Sequence, residues 1–182
     1  MRKNLGKKTW LVPLPVLILG TYNEDGSANA MNAAWGGIYD YNKVIVSLSE
    51  HKTTDNLVKR KAFTIAFATK NTVAASDYVG IVSGNKVPDK VAKAGLHPIK
   101  AEHVDAPIFE EYPLVLECVV DSFDEGILIG EIMNVSVDES ILTDGKIDTD
   151  KLEAIAFDAT NDKYLLVKGE VADAFKIGLT IK

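Results

Sequence analysis

The stretch Asn29-Ala30-Met31-Asn32-Ala33-Ala34-Trp35-Gly36-Gly37 is dense in amides and small side chains, and it contains one of the chain's two tryptophans. It follows an apolar run at residues 16–22 and an Asn-Glu-Asp-Gly-Ser turn at residues 23–27. Because an Asp-Gly pair favours chain reversal, the stretch is predicted to begin as the partner strand of that run. A β-branched run at residues 43–49 and a His-Lys-Thr-Thr-Asp-Asn sequence at residues 51–56 come next. We predict that these pieces enclose one pocket.

The composition is that of an ordinary folded protein and argues against nucleic acid as a partner. It has 182 residues, 47% hydrophobic and 25% charged, which predicts one domain over residues 1–182 with a real core. The net charge is -6 and no basic block occurs, so nucleic acid is not expected as a partner. The single cysteine, Cys118, cannot form an intramolecular disulfide.

The N-terminus combines basic residues with an apolar run, a combination that superficially resembles a signal peptide. Pro13 and Pro15 interrupt the run at residues 11–19, and no small-residue cleavage site follows it. The run is also too short to cross a bilayer. These features predict a cytoplasmic protein without membrane contact.

The rest of the chain is predicted to consist of strands joined mostly by turns, with a few short helices inserted. Further strands are predicted at 62–68, 113–123 and 127–137, and an Asp-Glu-Gly turn at 124–126 is predicted to join the last two as a hairpin. Short helices are predicted at 53–60, 71–79, 88–94 and 149–155. A loop is predicted at 143–146, and residues 97–107 are expected to be irregular or a short edge strand. About six strands without regular crossover helices favour an antiparallel barrel over a doubly wound parallel sheet.

Several kinds of reactive site are not indicated by the sequence. His51, His97 and His103 are scattered and show no metal-ligand spacing, and Cys118 has no second thiol nearby. Its apolar neighbours predict a buried, inert thiol. No nucleophile elbow, dinucleotide fingerprint or phosphate-binding loop motif occurs. We therefore predict no catalytic side chain and no metal, and we expect any reactive group to be a cofactor.

An anion site is indicated where the 51–56 sequence starts a helix. Thr53, Thr54 and the first N–H groups of the helix are suited to a phosphate, with the Lys52 cation adjacent. Lys90, from a second polar loop, could reach the same point. The alternatives are ordinary: threonines at a helix start are more often simple caps, and Trp35 alone is more often a core residue.

Nine short motifs occur in one order along the chain and together carry a family resemblance. The first four are Pro13-x-Pro15-Val16, Asn23-x-Asp25-Gly26, Asn29-x-Met31-Asn32-x-x-Trp35 and Lys52-Thr53-Thr54-x-Asn56. The others are Asp77-Tyr78-Val79-Gly80, Ser83-Gly84, Asp89-Lys90, Leu116-Glu117-Cys118 and Ile129-Gly130-Glu131-Ile132. In this order they resemble the flavin reductase-like family of FMN-binding split barrels, and within it the flavoredoxin branch.

The resemblance implies a mainly β fold, a six-stranded antiparallel Greek-key split β-barrel with a few short inserted helices, working as a homodimer with FMN near the subunit interface. It assigns the ring and ribityl region to Asn29, Met31, Asn32, Ala33, Ala34 and Trp35. It assigns the phosphate and ribityl chain to Ser47, Ser49, Lys52, Thr53, Thr54 and Lys90. Phe157 or Tyr164 could add an aromatic side chain to the ring site.

The resemblance leaves three functions to weigh. The first is an NAD(P)H-dependent flavin reductase, an oxidoreductase in which hydride passes from the nicotinamide to N5 of FMN. The second is a non-enzymatic, flavoredoxin-like FMN protein that shuttles electrons between protein partners, and the acidic net charge suits docking to a basic redox partner. The third is a barrel without flavin. We rank them in this order.

Overall fold

The fold is mainly β, a curled half-barrel sheet with a few short helices, in a computed structural model that describes residues 1–181. The strands are β1 (Leu14–Pro15), β2 (Leu17–Tyr22), β3 (Ala28–Ala33), β4 (Gly36–Asp40), β5 (Lys43–Ser47), β6 (Ala62–Phe67), β7 (Pro98–Lys100), β8 (Pro107–Phe109), β9 (Leu114–Asp124), β10 (Ile127–Val137), β11 (Leu142–Thr143), β12 (Lys146–Ile147), β13 (Ile155–Asp158) and β14 (Lys163–Leu166). The α-helices are α1 (Lys52–Arg60), α2 (Val73–Ile81), α3 (Lys90–Lys93) and α4 (Thr149–Leu152). Single 3₁₀ turns lie at Lys70–Thr72, Glu139–Ile141 and Ile177–Thr180.

The main sheet has the strand order β3-β2-β6-β9-β10-β5-β4, and every adjacent pair is antiparallel. All six predicted strands are present in it, and the predicted turn before β3 is closed by the Asn23 N–H donating to the Ser27 carbonyl over 2.8 Å. The prediction of an antiparallel barrel-like sheet with inserted helices is therefore confirmed.

The sheet is covered on both faces, as the continuous apolar run in β2 predicts. Leu17 and Leu19 point to one face, where they pack with Phe63 and other residues of β6, β9 and β10. Ile18 points to the opposite face, where α2 and β8 cover it. Cys118 lies on the first face, fully buried, and burial raises the pKa of its thiol to about 12. The prediction of a buried thiol is confirmed, and the raised pKa disfavours the reactive thiolate form.

One strand was not predicted, and two local predictions were wrong. Residues after Trp35 form β4, a seventh strand at the sheet edge, although Gly36 and Gly37 lack the side chains that indicate a strand. The helix predicted at 149–155 ends at Leu152, because Glu153 adopts a left-handed backbone conformation with a φ of 47° and β13 follows. The loop at 143–146 is a hairpin of β11 and β12.

Gly20 in β2 lies where three strands meet, and it leaves no room for a side chain. A Cβ at Gly20 would lie 2.5 Å from the Thr64 hydroxyl oxygen and 2.7 Å from the Pro107 carbonyl oxygen. That hydroxyl donates to that carbonyl over 2.6 Å, so an added methyl group would displace a buried hydrogen bond as well as backbone.

Gly20→Ala is therefore expected to lower the free energy of unfolding by about 1–3 kcal/mol, since overpacking and a displaced hydrogen bond act together. Denaturant unfolding measures this loss. Gly37→Ala is the matched control, because its Cβ would meet nothing within 4 Å. Equal losses in the two variants would contradict the packing argument.

Candidate functional site

A cleft of about 180 Å³ lies between the start of α1 and the loop that follows α2. We call it the polar cleft, and its lining residues are Met31, Asn32, His51, Lys52, Thr53, Val79, Gly80, Ile81, Val82, Ser83, Gly84 and Lys90. It brings together five of the twelve residues predicted for the cofactor, namely Met31, Asn32, Lys52, Thr53 and Lys90. Strand β3 and helix α1 thus meet here as the sequence predicted.

The first turn of α1 presents backbone donors at this cleft. Lys52 and Thr53 are its first two residues, and within residues 1–181 neither of their backbone N–H groups has an acceptor. Thr54 has a different role: its hydroxyl accepts from the His51 N–H over 2.9 Å and donates to the His51 carbonyl over 2.7 Å. Thr54 is a local helix cap, whereas Thr53 faces the cleft.

A buried hydrogen-bond network holds this helix start against the sheet. The Asn29 amide donates to the Thr53 hydroxyl over 2.8 Å and to the Thr21 hydroxyl over 3.3 Å. The Asn56 amide donates to the same Thr21 oxygen over 3.0 Å. Because the Thr53 oxygen accepts from an amide, its own hydrogen is left for an acceptor in the cleft. Asn29 therefore fixes the position of Thr53 by a hydrogen bond but does not itself line the polar cleft.

Lys90 contributes a buried cation to the wall of the polar cleft. Its side chain donates to the carbonyl oxygens of Val79 and Val82 over 3.1 and 3.0 Å, which caps the end of α2. The residue is only 4% exposed, and this burial lowers its pKa to about 8. An ammonium group has three N–H donors, so one remains for a ligand in the cleft.

Gly80 in the last turn of α2 and Gly84 in the loop after it let these two segments approach β3 closely. A Cβ at Gly80 would lie 2.9 Å from the Asn32 Cβ, and one at Gly84 would lie 2.8 Å from the Asn29 side-chain oxygen. Any larger residue would push the loop off the strand and open the cleft. Sequence reasoning marked both glycines only through the family motifs, since their contacts are long-range.

A second cleft of about 200 Å³ adjoins the polar cleft, and we call it the aromatic cleft. It is lined by Val16, Asn32, Ala34, Asp77, Gly80, Ile81, Phe157 and Tyr164. Asn32, Gly80 and Ile81 line both clefts, so the two form a continuous surface. Phe157 and Tyr164, both from the β13–β14 hairpin, have ring centroids 6.0 Å apart. The sequence suggested either aromatic residue for a ring site, and both are present here.

The remaining predicted residues lie elsewhere. Trp35, which is 58% exposed, and Ser47 line a separate cleft of about 650 Å³ beside the N-terminal segment. We call it the N-terminal cleft, and it is also lined by Lys8, Thr9, Trp10, Leu11, Leu14, Gly36, Gly37, Ile45 and Ile127. Ala33 packs into the sheet core and Ser49 is exposed, and neither lines any of the three clefts.

Within residues 1–181 no group of three or more His, Cys, Asp or Glu side chains could hold a metal ion. Over the same residues, no helix has the length and apolar character needed to cross a membrane.

Comparison with known proteins identifies relatives of this arrangement. The model of the flavin reductase-like domain matches residues 10–152. The structure is similar to flavoredoxin of Desulfovibrio vulgaris (Miyazaki F), with a TM-score of 0.93 and 39% identity, covering 98% of this chain and all of that one. A flavoredoxin from Methanosarcina acetivorans gives a TM-score of 0.87 at 27% identity, with 98% of each chain covered. No curated protein matches the sequence.

Proposed function

Since the chain belongs to the flavin reductase-like family, we propose that it binds FMN and acts as an NAD(P)H-dependent flavin reductase. In this activity hydride passes from the nicotinamide to N5 of the flavin. The observation that carries the proposal is the continuous surface formed by the polar and aromatic clefts, which meet at Asn32. One cleft suits a phosphate and the other suits a flat ring.

The polar cleft fits the phosphate end of FMN. It offers backbone N–H groups of Lys52 and Thr53, the free hydroxyl hydrogen of Thr53, and one N–H of the buried Lys90 ammonium. Helix starts and buried cations both stabilise phosphate. On the opposite wall Gly84, which approaches Asn29 closely, contributes backbone without a side chain.

The aromatic cleft fits part of the ring. Bound FMN would supply the electron-transfer chemistry itself, and the protein would bind it, orient it and keep water away. Val16, Ala34 and Phe157 provide apolar surface for a planar ligand. We assign no proton-transfer role to any side chain, because hydride transfer depends on stacking and orientation.

A second candidate function is a flavoredoxin-like carrier that passes electrons between protein partners. The 39% identity to a flavoredoxin over nearly the whole chain favours it. The net charge of -6 suits docking to a basic redox partner. Both candidates need the same FMN site, so the electron donor separates them.

Lys90→Met is expected to weaken FMN binding roughly tenfold, because it removes a charge-assisted hydrogen bond to phosphate and keeps the apolar stem. A pH series gives a second readout. In the protein without FMN, Lys90 has a pKa of about 8. Because the ammonium form is the one that binds phosphate, the affinity of the wild-type protein for FMN should fall as pH rises through about 8. Fluorescence titration with FMN measures both effects.

Lys93→Met is the matched control, because Lys93 lies on the same helix but pairs with Asp89 at the surface. It should change neither the affinity nor the pH profile. FMN affinity that is equal in wild type and Lys90→Met, at every pH, would remove Lys90 from the site.

NADH or NADPH is expected to reduce added FMN in steady state when the protein is present. Absorbance of the purified protein before and after each nicotinamide is the companion measurement. A yellow protein that neither nicotinamide reduces would favour the carrier. A colourless protein that leaves FMN fluorescence unchanged would contradict both candidates.

We also propose a homodimer, supported by exposed apolar side chains along β4. Ile38 and Tyr39 are 73% and 58% exposed on this edge strand, and Trp35 precedes them. Sedimentation equilibrium should give twice the chain mass of 19.8 kDa, and Ile38→Asp should halve it. Ile99→Asp, on β7, is the control at another exposed apolar position. A monomeric wild type would refute the dimer.

A further inference from the structure

The aromatic cleft contains one carboxylate, and the proposed function gives it no role. Asp77 lies on α2 and accepts a hydrogen bond from the Tyr164 phenol over 2.7 Å. A carboxylate can accept several hydrogen bonds, and its second oxygen has no partner within residues 1–181. Burial and the neighbouring Asp77 raise the pKa of Tyr164 to about 12, so the phenol stays a donor and the carboxylate keeps its spare acceptor.

A hydrogen-bond donor lies in the same cleft. The Asn32 side-chain amide donates one N–H to the Ser76 carbonyl over 3.0 Å. The same side chain lies within hydrogen-bonding reach of the Tyr164 phenol and lowers the pKa of that group, so Asn32, Tyr164 and Asp77 form one connected cluster. A ligand carbonyl can share the second amide N–H with the phenol, and the amide oxygen has no partner among residues 1–181. Asn32 also lines both clefts, so it stands where a ligand would cross from the polar cleft to the aromatic one.

The cleft therefore combines an acceptor, a donor and apolar walls. Phe157 and Tyr164 form one wall, and Val16 and Ile81 contribute other parts of the lining. A planar ring that carries an amide group matches this pattern, because the amide N–H can donate to the acid and its carbonyl can accept from Asn32.

We propose that Asp77, oriented by Tyr164, recognises the amide edge of a planar heteroaromatic ligand in the aromatic cleft. Two ligands of the proposed reaction carry such an edge: the flavin ring, with N3–H between two carbonyl groups, and the nicotinamide ring, with its carboxamide. The inference rests on the proposed function, since that function brings these rings to the site.

The origin of the aromatic wall supports a role in selectivity. The flavin reductase-like match ends at residue 152, whereas Phe157 and Tyr164 lie in the hairpin beyond it. The Tyr164–Asp77 hydrogen bond joins this hairpin to α2, and α2 lies within the match. A segment beyond the matched residues 10–152 thus completes the cleft and holds the acid in place.

The test pairs each variant with a ligand analogue that lacks the recognised N–H. Dissociation constants of FMN and 3-methyl-FMN are measured for wild type, Asp77→Asn and Tyr164→Phe. Wild type should prefer FMN by roughly tenfold, the worth of one charge-assisted hydrogen bond. Asp77→Asn should reduce that preference to about twofold, because the side chain loses its charge and its one remaining oxygen accepts from the Tyr164 phenol. Tyr164→Phe should reduce the preference partly.

A second arm separates the two ligand sources. Calorimetric titration with NAD⁺ and with its 3-acetylpyridine analogue, in which an acetyl group replaces the carboxamide, is run on the protein as purified. A preference for NAD⁺ that Asp77→Asn abolishes would assign the acid to the nicotinamide. A preference for FMN over 3-methyl-FMN that the variant abolishes would assign it to the flavin.

Two controls keep the result interpretable. Asp121→Asn removes a surface acid that pairs with Lys43. Tyr78→Phe removes a phenol from α2, the helix that also carries Asp77. Neither Asp121 nor Tyr78 lines the aromatic cleft. Both should behave as wild type. A purely structural role for Asp77 would weaken the paired ligands equally, so the preference is the deciding quantity.

Preferences that do not depend on Asp77 in either arm, or the absence of any preference, would overturn this inference and leave the proposed function standing. Wild-type protein that binds no FMN would overturn the proposed function. In that case the NAD⁺ arm alone decides the inference, and an Asp77-independent result there overturns it too.

Discussion

Buried amides must find hydrogen-bond partners, and this constraint holds the candidate site together. Thr21 on β2 accepts from Asn29 on β3 and from Asn56 on α1, and Asn29 reaches on to Thr53. The network ties the start of α1 to two strands, so the helix cannot slide or rotate without leaving buried polar atoms unpaired. The position of the polar cleft therefore follows from the same bonds that stabilise the fold.

The opposite wall depends on backbone that approaches β3 closely. Gly80 and Gly84 let the end of α2 and the following loop pack against β3. The Lys90 ammonium caps the same end of α2 through hydrogen bonds to two carbonyl groups. The ammonium stabilises two carbonyl groups and also leaves a donor for the cleft. One buried cation thus serves the helix and, in the proposed function, the phosphate.

The two clefts are built from different segments of the chain. The polar cleft is built from elements that the flavin reductase-like match covers, between residues 10 and 152. The aromatic cleft takes Phe157 and Tyr164 from the hairpin beyond that match, fastened by the Tyr164–Asp77 hydrogen bond. The two clefts thus draw on different segments of the chain and are joined by this one hydrogen bond and by the residues that line both, Asn32, Gly80 and Ile81.

Local sequence patterns predict six of the seven strands of the main sheet, the turn at Asn23 to Ser27 and the start of α1, because side-chain periodicity and turn chemistry are local properties. The sequence also marked Met31, Lys52 and Lys90, which the fold does bring together. Only the tertiary structure separated Thr53 from Thr54, turned Ala33 into the core and placed Trp35 in another cleft. The physical reason is that a side chain's direction and its hydrogen-bond partner are chosen among competing atoms far away in the chain. The Asn29 amide that binds Thr53 comes from another strand, β3, and no local pattern contains that contact, whereas the His51–Thr54 cap is local.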